Sequence, residues 1–213
     1  MTTLRICFVG DSLTAGTGDA AYIGWPGRLC GAERSRGHDL TLYNLGVRAD
    51  TSALIGGRWR AECAARLPDG VPHALVFMFG TNDSGEEAGA GVRVPLERSL
   101  EHARAIIAEA KAWKPMLWLS PAPINEAQMP LDSTAGIKRD FRNRRILETV
   151  DAYASLATEL EVPFLDLFRP LAGDPRWQHA LEACDGVHPA GAGYAVIAEQ
   201  VGRWAAWRAW MAD

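Results

Sequence analysis

The stretch Leu4-Arg5-Ile6-Cys7-Phe8-Val9-Gly10-Asp11-Ser12-Leu13-Thr14 decides how this chain is read. Its first six residues are almost continuously apolar, as a strand buried on both faces of a sheet should be. A glycine and two small polar residues then end the run abruptly. Four similar runs follow, at Leu40–Asn44, Ala74–Phe79, Met116–Ser120 and Pro163–Asp166. Each has an ordinary strand length.

Helical patterns lie between these runs. Leu100, Ala103, Ile107 and Ala110 recur at spacings of three and four, as do Ile146, Val150, Tyr153, Leu156 and Leu160. Tyr194, Ile197, Val201 and Trp204 give the C-terminal part the same stripe. Two weaker helices are expected over Trp25–Arg36, stopped by Gly37, and over Thr51–Arg66, weakened by Gly56 and Gly57. Alternating strands and helices predict a parallel sheet covered on both faces. Pro121 to about Gly136 reads as the longest irregular stretch. It follows a strand's C-terminal end and is a candidate substrate-binding loop.

The 213 residues are 48% hydrophobic and 23% charged, enough for one core and, as expected here, one domain over residues 1–213. The net charge of -4 comes with no basic block of the kind a nucleic acid needs, so no nucleic-acid partner is expected. Cys7, Cys30, Cys63 and Cys184 show neither zinc spacing nor a disulfide framework. The N-terminal apolar run is too short for a signal peptide and no stretch is long enough to span a membrane, which gives a cytoplasmic expectation.

Four polar blocks fall at the ends of these elements. They are Gly10-Asp11-Ser12-Leu13-Thr14, Asn44-Leu45-Gly46, Gly80-Thr81-Asn82-Asp83 and Asp185-Gly186-Val187-His188-Pro189. In a parallel sheet the first three converge on one edge, and the fourth can reach it. Taken singly, each reads as a turn or a cap. Taken together, they supply what acyl transfer needs. Ser12 is a nucleophile, His188 a base for its proton and Asp185 a carboxylate to hold the imidazole. The N–H groups of Ser12 and Gly46, with the Asn82 amide, are candidate oxyanion donors. Asp11 and Asp83 read as supports for loop geometry.

In these blocks the sequence resembles the SGNH/GDSL hydrolases. Their four name residues fall on Ser12, Gly46, Asn82 and His188. Gly10–Leu13 matches the Gly-Asp-Ser-Leu block literally, Gly80–Asp83 the Gly-x-Asn-Asp block and Asp185–His188 the Asp-x-x-His block. The resemblance implies a flavodoxin-like three-layer α/β/α sandwich with a five-stranded parallel sheet. It also implies hydrolysis of small acyl esters through an acyl-enzyme, without cofactor or metal, and oxyanion donors at Ser12, Gly46 and Asn82. The α/β-hydrolase elbow fits less well, because Gly-x-Ser-x-Gly would need glycine where Thr14 stands. Sugar O-acetyl esters, thioesters and lysophospholipids are alternative substrates. A non-catalytic flavodoxin-like binding module is the alternative of another class.

Other residues carry weaker readings. Lys138, Arg139, Arg142, Arg144 and Arg145 form a basic cluster expected on a helix, most simply a solvated face. Its functional version is recognition of an acidic substrate group, with Arg48 and Arg58 as further candidates. Trp25 and Trp59 read as core or acyl pocket. Trp207 and Trp210 are a candidate self-association patch, so a homo-oligomer is possible.

Overall fold

A computed structural model describes residues 1–132 and 136–212. Its strands are β1 (Thr3–Gly10), β2 (Asp39–Gly46), β3 (His73–Met78), β4 (Glu86–Glu87), β5 (Gly91–Val92), β6 (Met116–Leu119), β7 (Leu131–Asp132), β8 (Lys138–Asp140) and β9 (Phe164–Leu165). Its helices are α1 (Ser12–Ala15), α2 (Gly24–Arg34), α3 (Ser52–Ala64), α4 (Leu96–Trp113), α5 (Asn143–Glu159), α6 (Phe168–Ala172), α7 (Pro175–Glu182), α8 (Gly191–Arg203) and α9 (Ala205–Trp210).

The main sheet has the order β2-β1-β3-β6-β9, parallel throughout. Its five strands are the five apolar runs. The doubly wound order, reversing direction beside β1, is that of flavodoxin-like folds. β1 lies between two partners, so its side chains alternate between two cores. Leu4, Ile6 and Phe8 join Trp25, Trp177, Tyr194 and Trp207 under α2, α7, α8 and α9. Cys7 and Val9 join Trp59, Ile107 and Tyr153 under α3, α4 and α5. The result is three layers. Continuous burial holds for β1 after Arg5, for β3 and for β6, while the outer strands β2 and β9 are partly exposed.

Trp25, Trp59 and Trp207 are fully buried in these cores. They form neither an acyl pocket nor a surface patch, and Trp210 packs partly buried beside Trp207. Gly37 stands at φ 94° just beyond α2, and α3 runs unbroken through Gly56 and Gly57.

A second, antiparallel sheet, β5-β4-β8-β7, was not expected. Its strands have two or three residues and mostly polar sequence, too short for any periodicity to show. It changes the reading of the basic cluster. Lys138 and Arg139 lie on β8, Arg142 precedes α5, and only Arg144 and Arg145 are helical. The stretch from Pro121 to Gly136 holds a short 3₁₀ turn at Glu126–Gln128 and strand β7. Its residues 133–135 lie outside the described residues.

Gly46 ends β2 hard against α1. A β-carbon there would stand 2.2 Å from the Ala15 N and 2.7 Å from its Cα. Backbone cannot yield as a side chain does, so Gly46→Ala is expected to destabilise the fold by about 2 kcal/mol or more. Gly57→Ala, in helix α3 with nothing within 4 Å of the added carbon, is expected to stabilise by about 0.5–1 kcal/mol. Urea unfolding of both variants checks the pair; equal effects would contradict the packing at Gly46.

Candidate active site

The C-terminal ends of β1, β2 and β3 form one edge of the main sheet. β1 passes directly into the single-turn helix α1. Asp11 is its N-cap, with Oδ1 accepting from the Leu13 N–H at 3.0 Å. Neither Ser12 nor Thr14 serves as the cap. Ser12 thus becomes the first helical residue, whose N–H has no acceptor within the helix.

His188 arrives from the loop between α7 and α8. Asp185 organises this loop by accepting through Oδ1 from the N–H groups of Val187 and His188, at 3.0 and 2.7 Å. Gly186 adopts φ 81°, where a β-carbon would also meet the Gln128 side chain at 2.8 Å. The Asp185 Oδ2 lies 2.7 Å from His188 Nδ1, and His188 Nε2 lies 2.7 Å from Ser12 Oγ. An ionised carboxylate can only accept. Nδ1 therefore carries the proton, and Ser12 Oγ–H donates to Nε2. Burial pushes the Asp185 carboxyl up. The hydrogen bond and charge of His188, with the two backbone N–H groups, outweigh that and hold it below the usual carboxylate range. Ser12 and His188 are each 6% exposed.

Asn82, from the loop after β3, lines the same cleft as Ser12 and His188. Its Nδ2 donates to Asp11 Oδ2 at 3.3 Å, while its Oδ1 accepts from Arg93 Nη1 at 3.4 Å. An acceptor on one side and a donor on the other fix the orientation of the amide. Asp83 points inward. It accepts from the Ser52 N–H at 2.8 Å and from Ser99 Oγ at 2.6 Å, and so ties the β3 loop to α3 and α4.

Gly46 does not join this group. Its N–H donates to Asn44 Oδ1 at 3.0 Å, and it is absent from the wall of the cleft beside Ser12. The expectation of an oxyanion donor at Gly46 is therefore corrected. Ala49 stands in that wall with Ser12, Asn82 and His188, at the left-handed φ of 66° that favours glycine. The Ala49 carbonyl accepts from Arg93 Nη2 at 3.0 Å. Arg93 so bridges Ala49 and Asn82. Neither Ala49 nor Arg93 stands out in the sequence. Ala49 has no glycine to mark it, and Arg93 lies in a stretch without periodicity.

Arg58 is not free for a substrate. Its guanidinium donates to Asp50 Oδ2 at 2.6 Å, to the Leu45 carbonyl at 2.9 Å and to the Gly10 carbonyl at 2.9 Å. Arg48 and Arg139 do line the cleft, which has a volume of about 230 Å³ and also includes Leu131, Phe141 and Val187. Among the described residues no group of three or more His, Cys, Asp or Glu side chains is placed to hold a metal ion.

A profile of the GDSL-like lipase/acylhydrolase family matches residues 8–196. The chain belongs to this family. It is an acylhydrolase of the GDSL type, acting on ester bonds. Its fold is similar to that of a lipase/acylhydrolase from Enterococcus faecalis, with 22% identity, TM-score 0.78 and 97% of each chain covered. It is similar too to an α/β hydrolase from the metagenome of Lake Arreo, Spain, with 21% identity, TM-score 0.70 and 96% and 94% covered. A variant of an acetyl-xylooligosaccharide esterase from Geobacillus Stearmophilus is 18% identical, with TM-score 0.67 and 92% and 91% covered. At these identities the likeness is one of fold. No curated protein matches the sequence. Among the described residues no helix is long and apolar enough to cross a membrane.

Asp11 is wholly buried beside Ser12, and burial above all pushes its carboxyl from 3.8 up to about 6, against the opposing Leu13 N–H bond. The folded state therefore holds this proton more tightly than the unfolded chain. Its contribution to stability is full below pH 3.8 and is lost as pH rises through about 6. The loss is on the order of 3 kcal/mol. Urea unfolding of the native protein and of Asp11→Asn across this range measures it. The stability difference between them should shift in favour of the variant as pH rises, and a difference independent of pH would contradict the buried titration.

Proposed function

We propose that the chain hydrolyses small carboxylic esters by a two-step mechanism with Ser12 as nucleophile, His188 as base and Asp185 as the orienting acid. The observation that carries this reading is the unbroken line Asp185 Oδ2–His188 Nδ1 and His188 Nε2–Ser12 Oγ, with both contacts at 2.7 Å. Ser12 Oγ attacks the carbonyl carbon as Nε2 takes its proton. The imidazolium then lies against the Asp185 carboxylate, which stabilises its charge. Collapse of the tetrahedral adduct breaks the ester bond, and His188 returns the proton to the leaving alcohol. Water repeats the cycle on the acyl-Ser12 carbonyl, His188 again taking and returning the proton.

The developing oxyanion is assigned to the Ser12 N–H, the Asn82 side-chain amide and the backbone N–H of Ala49, which takes the part first expected of Gly46. Arg93 positions this group, since it holds the Asn82 Oδ1 and the Ala49 carbonyl at once. Donors fixed before the charge appears need no reorganisation during the reaction. The cleft is smaller than the usual range for drug-sized ligands, which favours a short acyl group. No cofactor or metal enters the mechanism, and the partner is a small-molecule ester.

A fluorophosphonate probe should label Ser12 in the folded protein, and labelling should be lost in Ser12→Ala and fall at least about 10²-fold in rate in His188→Gln. Labelling at another residue, or equal rates with His188→Gln, would overturn the assignment. Arg93→Met should lower kcat for a neutral ester by about tenfold or more with little change in KM. A change confined to KM would contradict its positioning role.

A further inference from the structure

Several carboxylates near the rim of the cleft already have a cation. Asp50 holds Arg58, Glu86 holds Arg145, and Asp140 holds Arg142 and Arg145, while Asp185 is taken up by the His188 imidazole and the N–H groups of its own loop. Asp132, which lines the cleft, is exposed and faces Lys138 at 3.9 Å. Two guanidinium groups of the cleft wall, those of Arg48 and Arg139, are not fully taken up by these carboxylates. Arg93 and Arg139 share the single carboxylate oxygen Glu87 Oε1, at 3.3 and 2.8 Å from their Nε atoms.

Arg139 is the more informative of the two. Its side chain is only 14% exposed, yet among the described residues it gives Glu87 its Nε alone. Its terminal nitrogens have no protein partner there, and the residue lines the cleft. A guanidinium buried to this degree ordinarily has its donors satisfied. Arg48, an exposed residue in the loop after β2, lines the same cleft, and among the described residues its guanidinium has no protein acceptor. Strand β8 and the β2–α3 loop thus bring two incompletely paired guanidinium groups to the cleft that holds Ser12.

We propose that the cleft selects esters bearing an anionic group, a carboxylate or a phosphate, bound by Arg48 and the terminal nitrogens of Arg139. The proposal rests on Ser12 as the nucleophile for its placement within the substrate. Guanidinium forks match the planar carboxylate and the phosphate edge, with two parallel N–H donors for two oxygens. Leu131, Phe141 and Val187 supply apolar surface for the carbon skeleton between anion and ester. The anion belongs either to the alcohol part or to the acyl part, and two substrate series separate these cases.

For the alcohol part, kcat/KM is measured for para-acetoxybenzoate and for its neutral isostere para-acetoxybenzamide. For the acyl part, the pair is para-nitrophenyl hemisuccinate and methyl para-nitrophenyl succinate. In one series the anion should be preferred about tenfold at low ionic strength, mainly through KM. The preference should shrink with added sodium chloride. It should largely vanish in Arg48→Gln and be partly kept in Arg48→Lys. A neutral ester hydrolysed as well as its anion in both series would overturn the proposal and leave the hydrolase reading intact. Binding of para-acetamidobenzoate and para-acetamidobenzamide, followed by calorimetry, gives a readout that needs no turnover. Tighter binding of the carboxylate, lost in Arg48→Gln, supports the anion site even if Ser12 proved not to be the nucleophile. Equal binding of the two amides, with no anion preference in turnover, overturns it.

Discussion

The site depends on how β1 ends. This strand is paired on both sides along most of its length, so its terminus has no freedom to drift. Its last carbonyl, that of Gly10, accepts from the Val47 N–H at 3.1 Å and from Arg58 at 2.9 Å. Arg58 also holds the Leu45 carbonyl at the end of β2. Two neighbouring strand ends are thereby clamped together. Asp11 then caps α1 in the next residue, and Ser12 is delivered at the edge of the sheet with its N–H free of intrahelical bonds. A nucleophile must be held within a fraction of an ångström to react well, and rigid elements do this better than loops.

The other half of the site is held differently. Asp185 and His188 come from one short loop, and three residues of separation suffice because Asp185 uses one oxygen for the loop and the other for the imidazole. The two carboxylates near Ser12 are pushed in opposite directions. Asp185, beside His188 and two N–H donors, stays ionised. Asp11, wholly buried, holds its proton towards neutrality. Environment divides the roles: Asp185 can stabilise an imidazolium, and Asp11 shapes the turn that carries Ser12.

The main sheet was legible because burial on two faces demands apolar strands, and five such runs stand out between helical stripes. The order of the strands followed from the resemblance, not from the runs themselves. Ser12 and Asn82 were legible as residues just after strands, and Asp185 and His188 as a block just before the last helical stripe; the structure brings Ser12, Asp185 and His188 into one hydrogen-bonded line, with Asn82 beside them in the cleft wall. Gly46 was misplaced for a physical reason. A glycine marks a close approach of backbone but not what approaches, and here it is Ala15 of α1. Ala49 and Arg93 were not legible at all. Their importance lies in a left-handed backbone turn and in hydrogen bonds between distant loops, neither of which leaves a periodic trace. The basic cluster at Lys138–Arg145 was read as one helix face because nothing local distinguishes three polar strand residues from the start of a helix. Only pairing with β4 shows that Arg139 belongs to a sheet and faces the cleft.

The central claim is that the line from Asp185 through His188 to Ser12 is a working acyl-transfer relay. Intact-protein and peptide mass measurement after acid quench, during steady-state turnover of an acetyl ester, tests it most directly. The account predicts a single acetyl group on Ser12 that decays once substrate is exhausted, and none in Ser12→Ala. Turnover with no acylated Ser12, and with Ser12→Ala as active as the native protein, would contradict it.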